Sequence, residues 1–105
     1  MNDRNNTTIE IRIDLDKLPE SIVPKTNQGY RNYELDDLPK IEKWMLEGYP
    51  SYDPDQTSNK IITTITGKMP NWLAIWIGMK IGSRADDVLY KPLNSPSFYL
   101  KKGAL

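Results

Sequence analysis

Lys60-Ile-Ile-Thr-Thr-Ile-Thr66, Gly67-Lys-Met-Pro-Asn71 and Trp72-Leu-Ala-Ile-Trp-Ile-Gly-Met-Lys-Ile81 run on from one another, and this stretch decides the fold. The first seven residues are rich in β-branched side chains, which suit a pleated surface better than a helix. They predict a central strand whose apolar content is Ile61, Ile62 and Ile65. Residues 67–71, with Gly67 and Pro70, form the turn that leaves it. Residues 72–81 are apolar almost all round and too long for a typical strand, so they predict a helix buried on more than one side. Gly82-Ser83 ends it.

The same logic extends outward. Ile9, Ile11, Ile13 and Leu15 alternate with Glu10, Arg12 and Asp14, the period of a half-buried strand. Residues 16–33 carry Pro19, Pro24 and Gly29 and predict a long irregular connection with room for one helical turn. Asp37 is placed to cap a helix with Pro39 in its first turn. Ile41, Trp44 and Met45 would share its buried face and Gly48 would stop it. Residues 49–59 read as a surface loop. Beyond the central unit, 88–90 and 97–101 predict two short strands joined by a turn at Pro92, Asn94 and Pro96. Two crossovers followed by a hairpin give a small mixed sheet of about four strands with two helices, of the α/β or α+β class. Residues 1–105 fit a single domain, with 1–6 as a flexible leader.

Composition narrows the chemistry. The 105 residues are 38% hydrophobic and 27% charged, enough for one core and too apolar for a disordered chain. Fourteen Lys and Arg balance fourteen Asp and Glu. A protein that coats duplex DNA would carry a basic excess. A small anion held by a local cluster stays open, because net charge says nothing about patches. Without cysteine there is no disulfide scaffold and no thiolate metal site; without histidine there is no Ser-His-Asp triad and the commonest general base is missing. The polar N-terminus lacks the marks of a signal peptide and no apolar run reaches ~20 residues, so neither export nor a membrane span is expected, and the cytoplasm is the expected location.

Several features could carry function. At the turn of Gly67, Lys68, Met69, Pro70 and Asn71, free N–H groups of a helix start would attract an anion, Lys68 adds charge, and ligands of open α/β sheets sit at the carboxyl ends of strands. The plainer alternative is a tight connection with a solvated Lys68. Trp72, Ile75, Trp76 and Met79 form one helical stripe, read first as core and second as a homodimer seam. Asp86-Asp87 could hold Mg²⁺ or Mn²⁺, but a capping role suits adjacent carboxylates better. Lys91 and Lys101-Lys102 serve either as solvated edge charges or, for Lys91, as a phosphate clamp facing Gly67. Tyr30, Tyr33, Tyr49 and Tyr52 fall in predicted loops, where they would pack locally or stack on bases.

On Gly67, Pro70, Trp72 and Leu73, followed by Tyr90-Lys91-Pro92-Leu93 and Phe98-Tyr99-Leu100, the segment 61–100 resembles the small CRISPR-associated ring-nuclease family of type III systems, distant relatives of CARF domains. That family shows a Gly-x-x-Pro-x-Trp-Leu turn and an aromatic-Asp-Pro-Arg turn between two strands. The resemblance implies a CARF-like or ferredoxin-like arrangement and a small α/β dimer, able to assemble further on ligand. It also implies a ligand: cyclic tetra-adenylate foremost, or short RNA, in antiviral signalling. Members that cleave the ring use Mn²⁺, a His after the helix, and the Asp and Arg of that turn. Here no His exists, and Lys91 and Leu93 stand at the Asp and Arg positions.

The expectation is therefore a binder of a cyclic oligoadenylate, as sensor, sink or regulator, using Gly67, Lys68, Met69, Pro70, Asn71 and Lys91. Neither catalytic residues nor a resident metal are assigned, and Mn²⁺ enters only if the chain is catalytic. The alternatives are a divergent ring nuclease and a homodimeric interaction module without a nucleotide.

Overall fold

The computed structural model describes residues 8–49 and 60–103. The expected leader at 1–6, most of the expected 49–59 loop, and Tyr52 lie outside them. Along the chain come β1 (Thr8–Asp14), α1 (Leu38–Glu47), β2 (Lys60–Thr66), α2 (Asn71–Ile81), β3 (Asp87–Lys91) and β4 (Phe98–Lys101), with 3₁₀ turns at Leu15–Lys17, Leu35–Asp37 and Gly82–Arg84. The sheet order is β1-β2-β3-β4. β1, β2 and β3 are mutually parallel and β4 returns antiparallel. The architecture is a four-strand mixed sheet with two helices, of the expected class.

Register explains the core. Ile13 lies opposite Ile65, and Ile65 opposite Tyr90; Thr63 and Val88 pair one step below. Successive strand residues point to opposite faces, so these share a face. Ile13, Ile65, Val88 and Tyr90 join Ile41 and Met45 of α1 and Leu73, Ala74, Ile77 and Ile81 of α2 in one buried cluster. Both helices thus cover the same side of the sheet. The other side carries exposed Glu10 and Arg12 beside half-buried Thr64 and Thr66, which is why β1 alternates so cleanly. Parallel sheets are usually covered on both faces; here the second face is mixed, with half-buried Ile62 and Leu89 and exposed Tyr99 beside the polar residues of β1 and β2.

Local chemistry sets the ends. Pro39 stands in the first turn of α1 and Gly48 follows its last residue. Asp37 occupies the cap position, but its carboxylate accepts from the Glu34 N–H at 2.9 Å and closes the preceding 3₁₀ turn rather than capping α1. Asn94, with φ 61°, takes the left-handed position in the β3–β4 turn, which asparagine tolerates. Lys101 Nζ donates to the carbonyls of Gly82 and Ala85 at 2.5 and 2.8 Å, satisfying acceptors that the end of α2 leaves behind.

Two expectations are corrected. Tyr49 is not a loop residue on the surface: it is buried, and its hydroxyl bonds to Thr63 Oγ1 in the core. Of the stripe Trp72, Ile75, Trp76 and Met79, Trp76 packs half-buried against the core, but Trp72, Ile75 and Met79 are not core. These residues are 41%, 52% and 77% exposed, while the buried face of α2 is Leu73, Ala74, Ile77 and Ile81. A helix that is apolar all round hides which face is inward, and the sheet covers only one side of it.

Candidate functional site

The parallel strands end together, with Asp14, Thr66 and Lys91 in register at one edge of the sheet. Gly67 follows with φ 108°. A Cβ there would fall 2.8 Å from the Leu15 nitrogen and 2.9 Å from that of Asp16, so only glycine lets the β2–α2 turn close on the 3₁₀ turn after β1. The close approach is to the protein's own backbone. Asp16 completes it, its Oδ1 accepting from the Lys68 N–H at 3.0 Å, while Asp14 Oδ1 accepts from the Asp16 N–H at 3.0 Å.

A small hairpin forms the facing wall. Lys25 and Arg31 make a β-bridge, and the Thr26 N–H donates to the Tyr30 carbonyl at 2.6 Å. Gly29 turns the tip with φ 87°. Arg31 holds this wall to the body of the domain. Its Nε donates to Val23 O and one terminal nitrogen to Leu15 O, both at 2.9 Å, and the other terminal nitrogen donates to Leu18 O. The guanidinium is half-buried, and all its partners are carbonyls, so its charge is left without a counterion in that network.

Between the walls lies a cavity of about 170 Å³, lined by Asp16, Lys25, Gly29, Tyr30, Arg31, Tyr33 and Lys68. Three cations face one carboxylate. Among the described residues, none of the three is in an ion pair; the pairs present are Lys60–Asp87 and Lys80–Glu42. Burial pushes the Tyr33 hydroxyl above its ordinary pKa, and the neighbouring Arg31 pulls it back. The Arg31 N–H groups point at carbonyls, however, and the Tyr33 hydroxyl is buried with no hydrogen-bond partner among the described residues. Tyr30 remains 46% exposed.

The six sequence-predicted site residues separate. Lys68 lines the cavity. Gly67 builds the turn beside it. Met69 packs against the core. Pro70 precedes α2, its carbonyl accepting from the Leu73 N–H at 3.1 Å. Asn71 Oδ1 accepts from the Tyr90 hydroxyl at 3.3 Å. Lys91 Nζ donates to the Ser95 carbonyl at 3.2 Å, within its own hairpin. Lys25, Arg31 and Asp16 were not singled out from sequence. The available signal was a Lys and an Arg bracketing Thr-Asn-Gln-Gly-Tyr, a short hairpin hidden in the irregular connection.

Asp86 and Asp87 are fastening groups. Asp86 Oδ2 accepts from the Ile61 N–H at 2.8 Å, and the Asp86 N–H returns to Ile61 O at 2.9 Å. Asp87 Oδ1 accepts from the Gly103 N–H at 2.7 Å, and its Oδ2 lies 3.2 Å from Lys60 Nζ. Carboxylates so engaged do not fit a Mn²⁺ site, and among the described residues no group of three or more acidic side chains converges on a common point. A second cavity, of about 230 Å³, separates β1 from α1 and is lined by Ile11, Ile13, Trp44, Met45 and Tyr49 with Arg12, Asp14 and Lys17. Among the described residues, no helix is long and apolar enough to cross a membrane. No protein-family model, curated protein or solved structure matches this chain.

Proposed function

We propose that this protein binds a cyclic oligoadenylate, cyclic tetra-adenylate foremost, or a short RNA, at the carboxyl ends of β1 and β2, and that it does not cleave it. One observation carries the reading: Lys25, Arg31 and Lys68 line one cavity there without a neutralising ion pair among the described residues, beside the exposed ring of Tyr30. Phosphates would meet the ammonium groups, and a base would stack on the tyrosine. Strand ends of an open parallel sheet are where such ligands ordinarily sit.

The residue inventory favours retention over cleavage. Attack of a 2′-hydroxyl on the adjacent phosphate gains ~10²–10⁴-fold from a positioned general acid or base. Histidine, its usual agent, is absent, and Lys68 would supply charge stabilisation. The test incubates excess protein with radiolabelled cyclic tetra-adenylate, with and without Mn²⁺, and follows both binding and products. Ring retained intact for hours supports a silent binder. Linear product within minutes supports the ring nuclease instead.

A second reading, the homodimeric module, is favoured by the exposed stripe Trp72-Ile75-Met79. Exposed apolar patches of this kind mark interfaces. The two readings are compatible if the ring lies across two protomers.

A further inference from the structure

We infer that the cavity of Asp16, Lys25, Tyr30, Arg31, Tyr33 and Lys68 also receives a terminal phosphate, the phosphomonoester end of a linear oligoadenylate or RNA, and holds that group more strongly than a single phosphodiester. This rests on the proposed oligoadenylate reading only for what the phosphate is attached to.

Size is the first argument. Pockets that engulf a small molecule hold about 300–1,000 Å³, and this cavity holds about 170 Å³. It admits a headgroup and leaves the rest of the ligand outside. Charge is the second. The cavity lining carries three cations against the single carboxylate of Asp16, whose Oδ1 accepts from the Lys68 N–H. A phosphodiester brings one negative charge; a phosphomonoester near neutral pH brings nearly two and balances the site.

Geometry divides the labour. Arg31 cannot swing onto a ligand, because its N–H groups hold the carbonyls of Leu15, Leu18 and Val23. It acts as a fixed positive charge behind the cavity. Lys25 and Lys68 are exposed and approach from opposite walls, one on the hairpin and one on the β2–α2 turn. Their ammonium groups are the donors that would meet the phosphate oxygens. The buried Tyr33 hydroxyl, without a partner among the described residues, marks a wall whose polar groups are not yet satisfied. Tyr30 stands where the first base beyond the phosphate would stack.

The test is a calorimetric titration of the full chain with inorganic phosphate, with cyclic tetra-adenylate, and with linear tri-adenylate bearing a phosphate at the 5′ end, at the 3′ end, or at neither. Lys25→Ala and Lys68→Ala are titrated in parallel, with thermal melts to establish that both fold. The phosphorylated linear ligand is expected to bind about tenfold tighter than the unphosphorylated one, the factor one charge-assisted hydrogen bond supplies. Each Lys→Ala change should remove most of that difference, and the 5′ and 3′ arms identify which end is read. Equal affinities with and without the phosphate, or a preference that survives both variants, overturn the inference. A ring that binds while phosphorylated linear ligands do not overturns the inference and leaves the oligoadenylate reading standing. Inorganic phosphate that binds through Lys25 and Lys68 while no adenylate binds supports the inference and removes that reading.

Discussion

Gly67 and Asp87 act on stability through different physics. Gly67 combines a positive φ with backbone nitrogens within 3 Å of any added Cβ. Gly67→Ala is expected to cost about 1–3 kcal/mol, the range for a strained backbone position, read as a lower urea midpoint. An unchanged midpoint would mean the turn does not close on Leu15–Asp16. For Asp87, the Gly103 N–H donating to its carboxylate outweighs the cost of burial and, with Lys60 nearby, holds the carboxyl below its ordinary range. A carboxylate whose pKa is depressed in the folded state stabilises the fold above its unfolded pKa and loses that stabilisation as pH falls towards the folded value. Stability should therefore drop on acidification below about pH 4. Asp87→Asn should remove that component of the decline while lowering stability at neutral pH. Parallel acid-unfolding curves for the two proteins would refute the role.

The two faces of α2 separate stability from assembly. Ile77 is fully buried against the sheet, so Ile77→Ala should cost about 2–5 kcal/mol in chemical unfolding. Ile75 is 52% exposed on the opposite side. Ile75→Ser should leave the unfolding midpoint of the dilute protein nearly unchanged, and equal losses for both variants would show that the stripe is core after all. Much of this was legible in the sequence. The period of two in residues 9–15, the β-branched run of β2 and the Gly-Pro turn each allow one solution, and their elements fall within a residue or two of expectation. The orientation of α2 was not legible, because Trp72 and Leu73 are equally apolar and only the one-sided sheet chooses between them. The candidate site was half legible. Lys68, Tyr30 and Tyr33 stood out by residue type. Arg31 and Lys25 did not, because their role depends on the docking of a short hairpin onto the domain, set by hydrogen bonds from Arg31 to the carbonyls of Leu15 and Leu18.

At the scale of the whole molecule, the cationic cavity and the exposed stripe of α2 are separate features. Lys25, Arg31 and Lys68, none in an ion pair among the described residues, line a cavity at the carboxyl ends of β1 and β2, and Trp72, Ile75 and Met79 expose apolar surface on the outer face of α2. The expected consequence is a symmetric homodimer through α2. Light scattering at micromolar concentration should show a dimer for the wild type and a monomer for Ile75→Glu; a monomeric wild type would contradict it. Ligand binding should be independent of that stripe at the level of a single cavity and should weaken as salt screens the cationic cluster. The central claim is that this cluster is a nucleotide-phosphate site. The measurement that tests it most directly is isothermal titration of cyclic tetra-adenylate into the wild type and Lys25→Ala/Lys68→Ala at two salt concentrations. Saturable binding that weakens with salt and falls at least about tenfold in the double variant is expected. Absence of heat and of any thermal shift in the wild type, or binding that the double variant retains in full, would contradict it.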